Sequence, residues 1–179
     1  LLDHGTIEMH GSPEKVLAEY HHRLNAAKQK LPPPQLQDFS SSDLTISSVR
    51  FFDTNGLEKN QFKTGEELII RMFYNVRKPV QNPVFGLAIY NDSGVHLTGP
   101  NTKTSNYGIK RVEKNGYIDY IMRPNQLLGG RYHVSVSCFN ADCTFPYDYQ
   151  EQKYTFTVTK NRENQYGLIE LPAFWRNNN

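Results

Sequence analysis

The chain of 179 residues is 37% hydrophobic and 21% charged, with a mean hydropathy of -0.65, and no apolar run approaches the ~18 residues a membrane-spanning helix needs. A net charge of +2, without a clustered basic stripe, gives no electrostatic footprint for nucleic acid, so no nucleic-acid partner is expected. The 11 Tyr and 10 Phe beside one Trp suit pleated, half-buried surfaces.

Residues 1–11 read as a short hairpin. Ser12-Pro13-Glu14 opens a helix, with Ser12 as N-cap and Pro13 in the first turn. Val16, Leu17, Tyr20 and Leu24 then recur at helical spacing to about Lys30, so this helix is amphipathic. Leu31-Pro32-Pro33-Pro34 stops it, and the polar run from Gln35 to Asp43 completes a linker over 31–43. The start Leu1-Leu2-Asp3-His4-Gly5 lacks the basic and apolar regions of a secretory signal. Cys138 and Cys143 read as reduced thiols of a cytosolic protein, a strained local disulfide being the alternative.

Beyond the linker the period changes to two. Strands are expected over 44–53, 67–76, 84–90, from Val95, 116–123, 131–140, 153–159 and 165–171. Asp53-Thr54-Asn55-Gly56 and Asn91-Asp92-Ser93-Gly94 are the clearest turns between them. Strands with frequent turns and no intervening helix predict an all-β fold, an antiparallel sandwich over 44–179.

Alternation divides each strand between core and surface. Leu68, Ile70, Met72 and Tyr74 form one face of their strand. Phe85, Leu87 and Ile89 point inward, as do Tyr132, Val134, Val136 and Cys138. The outward set is poor in Lys and Glu. It mixes small residues (Gly86, Ala88, Ser135, Ser137) with aromatics (Phe73, Tyr90, Phe139) and with Arg71 and His133. Small residues make a concave floor, aromatics offer flat apolar faces, and a fixed cation holds an anion or a hydroxyl. That mixture predicts a sugar site of Arg71, Phe73, Tyr90, His133, Ser135, Ser137 and Phe139. The alternative is that a linker, helix or second subunit covers this face.

Catalytic patterns are missing. The six histidines are scattered, and His21-His22 would point about 100° apart on a helix, so no metal site is expected. The chain has no G-x-S-x-G elbow, no Cys-His signature and no H-E-x-x-H. Asp142, Asp148 and Glu151 match no calcium-loop spacing.

Two stretches carry a family resemblance. Leu2-Asp3-x-Gly5-x-Ile7-x-x-x-Gly11-Ser12-Pro13-x-x-Val16-x-x-x-Tyr20 resembles the end of an ABC-transporter ATPase domain of the polysaccharide-export branch. Further on, Val49-Arg50-Phe51-Phe52-Asp53-x-x-Gly56, Phe62-x-x-Gly65-Glu66-x-Leu68 and Pro83-x-Phe85-Gly86-Leu87 are similar to the C-terminal domain of Wzt, the ATPase subunit of bacterial O-antigen exporters. So are Gly94-x-x-Leu97-x-Gly99-x-Asn101-Thr102, Leu128-x-Gly130-x-Tyr132-x-Val134-Ser135-Val136 and Gly167-Leu168-Ile169-x-Leu171-Pro172-x-Trp175.

The resemblance implies three parts: an ATPase tail over 1–30, the linker, and an immunoglobulin-like or jelly-roll β-sandwich that binds the non-reducing end of a finished O-antigen. It also implies a homodimer exchanging the strand over 165–175, and a membrane-spanning transporter subunit as partner. The location implied is cytoplasmic, at the inner face of the membrane. The Walker motifs, with their ATP and Mg²⁺, would belong to the upstream ATPase domain, leaving no cofactor and no enzymatic activity in this stretch. A purely structural dimerisation domain, or recognition of teichoic acid or an S-layer glycan, are the competing expectations.

Overall fold

The computed structural model describes residues 2, 3, 6–13, 15, 16, 19, 20, 39, 42–160 and 166–177. The chain divides into two compact units, residues 1–38 and 39–179. In the first unit, β1 (Leu2–Asp3) and β2 (Thr6–Ile7) pair antiparallel, with Leu2 opposite Ile7, in the expected hairpin. The Val16 N–H donates to the Ser12 carbonyl at 3.1 Å, a bond between residues four apart. Most of the expected helix and most of the 31–43 linker lie outside the described residues.

The second unit begins with β3 (Leu44–Phe52), β4 (Gln61–Lys63), β5 (Leu68–Val76), β6 (Val80–Gln81), β7 (Val84–Asn91) and β8 (His96–Thr98). It continues with β9 (Arg111–Val112), β10 (Gly116–Met122), β11 (Gly130–Phe139) and β12 (Pro146–Thr159). Two sheets face each other. One runs β10-β5-β3 and the other β4-β12-β11-β7-β8, with β6-β9 as a separate short pair. All pairings are antiparallel except β4 with β12. This is the all-β sandwich that the period-two pattern implied.

The core lies between the sheets. Leu68, Ile70 and Met72 of β5 meet Phe85, Leu87 and Ile89 of β7 and Tyr132, Val134, Val136 and Cys138 of β11, all buried as alternation predicted. Phe156 of β12 anchors an aromatic cluster, its ring 5.2 Å from Phe51, 6.3 Å from Phe62 and 5.4 Å from Tyr132. Such offset and edge contacts add to simple area burial. The Tyr132 hydroxyl donates to the Leu128 carbonyl, so its polar end is satisfied inside the core.

Two irregularities decide which side chains face out. In β3, strict alternation would send Leu44 and Ile46 to one face and Val49 and Phe51 to the other, yet all four are buried. A register shift against β5 between Ile46 and Ser48 inserts one residue and restores the inward face. In β12, Gln150 opposes Val136 and Tyr154 opposes Val134, so extra residues bulge between them, with Gln152 at φ 44°. The bulge breaks the alternation, which is why the sequence pattern finds this strand only from Lys153 although it starts at Pro146.

The turn chemistry holds. The Asp53 carboxylate accepts the Asn55 and Leu57 N–H groups at 2.9 and 3.0 Å, with Gly56 at φ 76°. At the other turn the Asn91 carbonyl accepts the Gly94 N–H at 2.9 Å, and its side-chain oxygen the Val95 N–H at 2.8 Å. Of the strand expected over 165–171, Gln165 lies outside the described residues. The remainder makes only an isolated bridge, Ile169 to Leu127, flanked by bonds from Leu128 N–H to Leu168 and from Glu170 N–H to Gln126. Both cysteines are free thiols, Cys138 buried and Cys143 exposed.

A neutral pocket on the five-stranded sheet

The seven predicted site residues do not form one group. Arg71 and Phe73 lie on β5, in the three-stranded sheet, while Tyr90 lies on β7 and His133, Ser135, Ser137 and Phe139 on β11, in the five-stranded sheet. Each set points outward from its own sheet, and the core separates them. Alternation tells inward from outward within a strand, but a sandwich has two outward faces.

On the three-stranded sheet Arg71 is already engaged. Its guanidinium donates to both carboxylate oxygens of Asp119, at 2.7 and 2.8 Å, from the position directly opposite on β10. The same group lies 3.9 Å from the Tyr117 ring centre and 4.9 Å from that of Phe52. Hydrogen bonding to Asp119 comes first in holding its pKa above the ordinary value, against an opposing desolvation. Phe73 packs on Tyr117 at 5.9 Å under the Arg50 guanidinium. The cation is therefore neutralised in place, and the Phe73 and Tyr117 rings each already carry one guanidinium neighbour, Arg50 and Arg71 respectively.

The other five residues share the outward face of the β7–β11 pair. Across it stand Tyr90 with His133, Ala88 with Ser135, Gly86 with Ser137, and Val84 with Phe139. The first row is tied up: His133 Nε2 lies 2.8 Å from Asp92 Oδ1, and Tyr90 stacks on His96 at 4.8 Å. The remaining rows floor a pocket of about 240 Å³. A Cβ at Gly86 would stand 3.0 Å from Ser137 Oγ and 3.4 Å from Asn101 Cβ, so the absent side chain keeps the floor open.

The two serines differ. Ser135 is buried, and its Oγ accepts the Gln152 N–H at 2.8 Å, satisfying the amide at the β12 bulge. Ser137 is half-buried, lines the pocket, and makes no side-chain hydrogen bond among the described residues. Among the wall residues that the sequence argument missed are His96, Asn101, Cys143 and Tyr149. Asn101 follows β8 and bridges to Gly86, its Oδ1 accepting the Thr104 N–H at 2.8 Å. Tyr149 stands opposite Ser137 on the part of β12 that the broken alternation concealed. Burial, then Glu151 and Tyr90, push its phenol pKa up, so it remains a neutral hydroxyl at neutral pH.

The pocket lining includes no Lys, Arg, Asp or Glu. Among the described residues no group of three or more His, Cys, Asp and Glu is placed to hold a metal ion. What the pocket offers is uncharged hydrogen-bonding groups on Ser137, Asn101 and Tyr149, the rings of Phe139 and Tyr149, and a small-residue floor.

A family model described as the Wzt C-terminal domain matches residues 36–171. The chain belongs to the Wzt C-terminal domain family. The match takes in every strand from β3 to β12 and all the pocket residues. A crystal structure of the C-terminal domain of Wzt aligns with a TM-score of 0.65 at 18% identity, covering 76% of this chain and 85% of that one, and so shares the fold. A family 76 glycoside hydrolase from a bovine Bacteroides thetaiotaomicron strain gives a TM-score of 0.37 at 12% identity, over 63% of this chain and 20% of that one. Bifidobacterium dentium beta-glucuronidase gives 0.39 at 11%, over 65% and 18%. No curated protein sequence matches the chain at a significant level.

Proposed function

We propose that the sandwich holds the non-reducing end of a completed O-antigen polysaccharide in the neutral pocket and so couples that chain to export by an ABC transporter. Membership of the Wzt C-terminal domain family supports the exporter setting. The observation that carries the binding reading is the pocket itself, with its small-residue floor, two aromatic walls and uncharged hydrogen-bonding groups. A sugar ring presents an apolar face to Phe139 or Tyr149 and its hydroxyl edge to Ser137 and Asn101. In this arrangement ATP and Mg²⁺ belong to the ATPase domain on the N-terminal side, and the sandwich works at the cytoplasmic face of the membrane. So open a site gives weak affinity, on the order of micromolar to millimolar, or about 4 to 8 kcal/mol.

A dimer would double the sites and raise avidity. The segment 166–177 supports one, since Tyr166, Leu171, Phe174 and Trp175 are all strongly exposed apolar side chains. Truncation before Gln165 should abolish the dimer in light scattering.

The pocket has a built-in reporter. Cys143 is exposed on its lining, whereas burial and then Asp148 push the Cys138 thiol pKa far up. N-ethylmaleimide at mildly alkaline pH should therefore modify Cys143 alone. The exported polysaccharide carrying its terminal group should slow that reaction, and the polymer stripped of the group should not. Gly86→Val, which fills the floor, and Tyr149→Ala, which removes a wall, should both lose the protection while keeping the wild-type circular dichroism. Identical alkylation rates with and without polymer in the wild type would overturn the reading in favour of a purely structural domain. Protection by teichoic acid or an S-layer glycan instead would change the cargo and keep the site.

A further inference from the structure

A second concavity of about 440 Å³ adjoins the neutral pocket, and Val84 lines both. Its other lining residues include Asn82, Lys103, Asn106, Tyr107 and Lys110. Its chemistry differs, being rich in amide, phenol and ammonium donors where the first pocket is neutral and floored by small residues. Val84 is buried on the outward side of β7, opposite Phe139, so the aromatic wall of the first pocket stands at the boundary between the two.

This second cradle is fixed by its own backbone. The segment after β8 folds into consecutive turns, with Ser105 N–H donating to the Asn101 carbonyl at 3.0 Å, Asn106 N–H to Lys103 at 3.2 Å and Tyr107 N–H to Thr102 at 2.8 Å. Asn82 N–H donates to the Lys110 carbonyl at 2.9 Å, and Lys103 Nζ to the Ala141 carbonyl at 2.9 Å. The loops on either side of the concavity are thereby joined. Tyr107 is held with 64% of its surface exposed. Asn82 and Asn106 sit at φ 46° and 54°, and neither side-chain amide makes a hydrogen bond among the described residues. Asparagine suits those left-handed turn positions, but the exposed amides themselves stay open to a ligand, beside the Tyr107 ring.

Size points the same way. The neutral pocket, at about 240 Å³, is below the ~300–1,000 Å³ typical of sites for drug-sized ligands, whereas the adjoining concavity, at about 440 Å³, lies within it, so the larger space beside Val84 has room for a further sugar. We infer that the glycan site has two subsites: the terminal sugar enters the neutral pocket, and the next residue of the chain crosses Val84 into the cradle of Asn82, Asn106, Tyr107 and Lys110. The ligand class is thus an oligosaccharide end of at least two residues, with an uncharged terminal ring and a hydroxyl-rich neighbour. This rests on the pocket being the glycan site.

The test uses the full 179-residue chain and fragments of the exported polysaccharide that keep its non-reducing end, one, two and three sugars long. Because both asparagines lie at positive φ, Asn82→Gly with Asn106→Gly removes the amides while leaving a backbone that glycine readily adopts. Tyr107→Ala is the second, independent variant. In the wild type the two-sugar fragment should bind about 5- to 10-fold more tightly than the single sugar, as one or two added hydrogen bonds allow. Both variants should lose that gain and keep the single-sugar affinity. An affinity independent of length, or a gain that survives in both variants, would overturn the second subsite while leaving the pocket reading intact. Failure of every fragment to bind would overturn both.

Discussion

Ser135→Ala and Ser137→Ala delete the same hydroxyl two residues apart on β11, and the structure assigns them opposite outcomes. Ser135 Oγ is the acceptor for the Gln152 N–H at 2.8 Å, inside a side chain that is buried. Its loss leaves the bulge amide without that partner and costs about 0.5–1.5 kcal/mol, the net worth of one hydrogen bond. At about 2–4 °C per kcal/mol for a chain of this size, Tm should fall by about 1–6 °C. The polysaccharide Kd should not change, because this oxygen already serves the fold. Ser137 makes no side-chain hydrogen bond among the described residues, so Ser137→Ala should stay within ~0.5 kcal/mol of wild-type stability. Losing one hydrogen bond to the sugar should weaken Kd by about 2- to 12-fold. Thermal melts by circular dichroism and isothermal titration of the polysaccharide measure the two quantities separately. If Ser135→Ala weakens binding at unchanged Tm while Ser137→Ala does the reverse, the assignment of the ligand-facing hydroxyl is wrong.

Arg71→Ala should lower stability by about 1–3 kcal/mol in urea titration, since it strips two charge-assisted hydrogen bonds from a half-buried Asp119. It should leave the polysaccharide Kd unchanged; a weakened Kd would return the site to the three-stranded sheet. A pH effect follows from Glu66. Burial acts to raise its pKa, but the Lys59 hydrogen bond, the Lys63 N–H and the Lys59 charge outweigh it and hold the carboxyl below its ordinary 4.5. A carboxyl with a lower pKa folded than unfolded stabilises the fold fully above the unfolded value, and that stabilisation is lost as pH falls through the folded value. The stability gap between wild type and Glu66→Gln should therefore be widest near neutral pH and close in acid. A gap that stays constant from about pH 7 to about pH 3 would refute this linkage.

The sequence by itself determined the all-β class, the main strands and turns and the inward face of β5, β7 and β11. A two-residue period and Asx-type turns are local properties that survive without knowledge of the partner strand. It also showed that Gly86, Ala88 and Ser137 were too small and too uncharged for an ordinary solvated surface, and these residues do floor the pocket. Only the tertiary structure decided that Arg71 and Phe73 belong to a different sheet from Tyr90, His133 and Phe139. Strand order is set by pairings between distant segments, as when β11 takes its place between β7 and β12, and no single strand's pattern contains that information. The same holds for each side chain's use. The Ser135 hydroxyl, the Arg71 guanidinium and the His133 ring look available in sequence, yet Gln152, Asp119 and Asp92 meet them only when the chain folds. Tyr149 and Asn101, which complete the pocket, went unread because a bulge and an irregular edge segment carry no period to recognise.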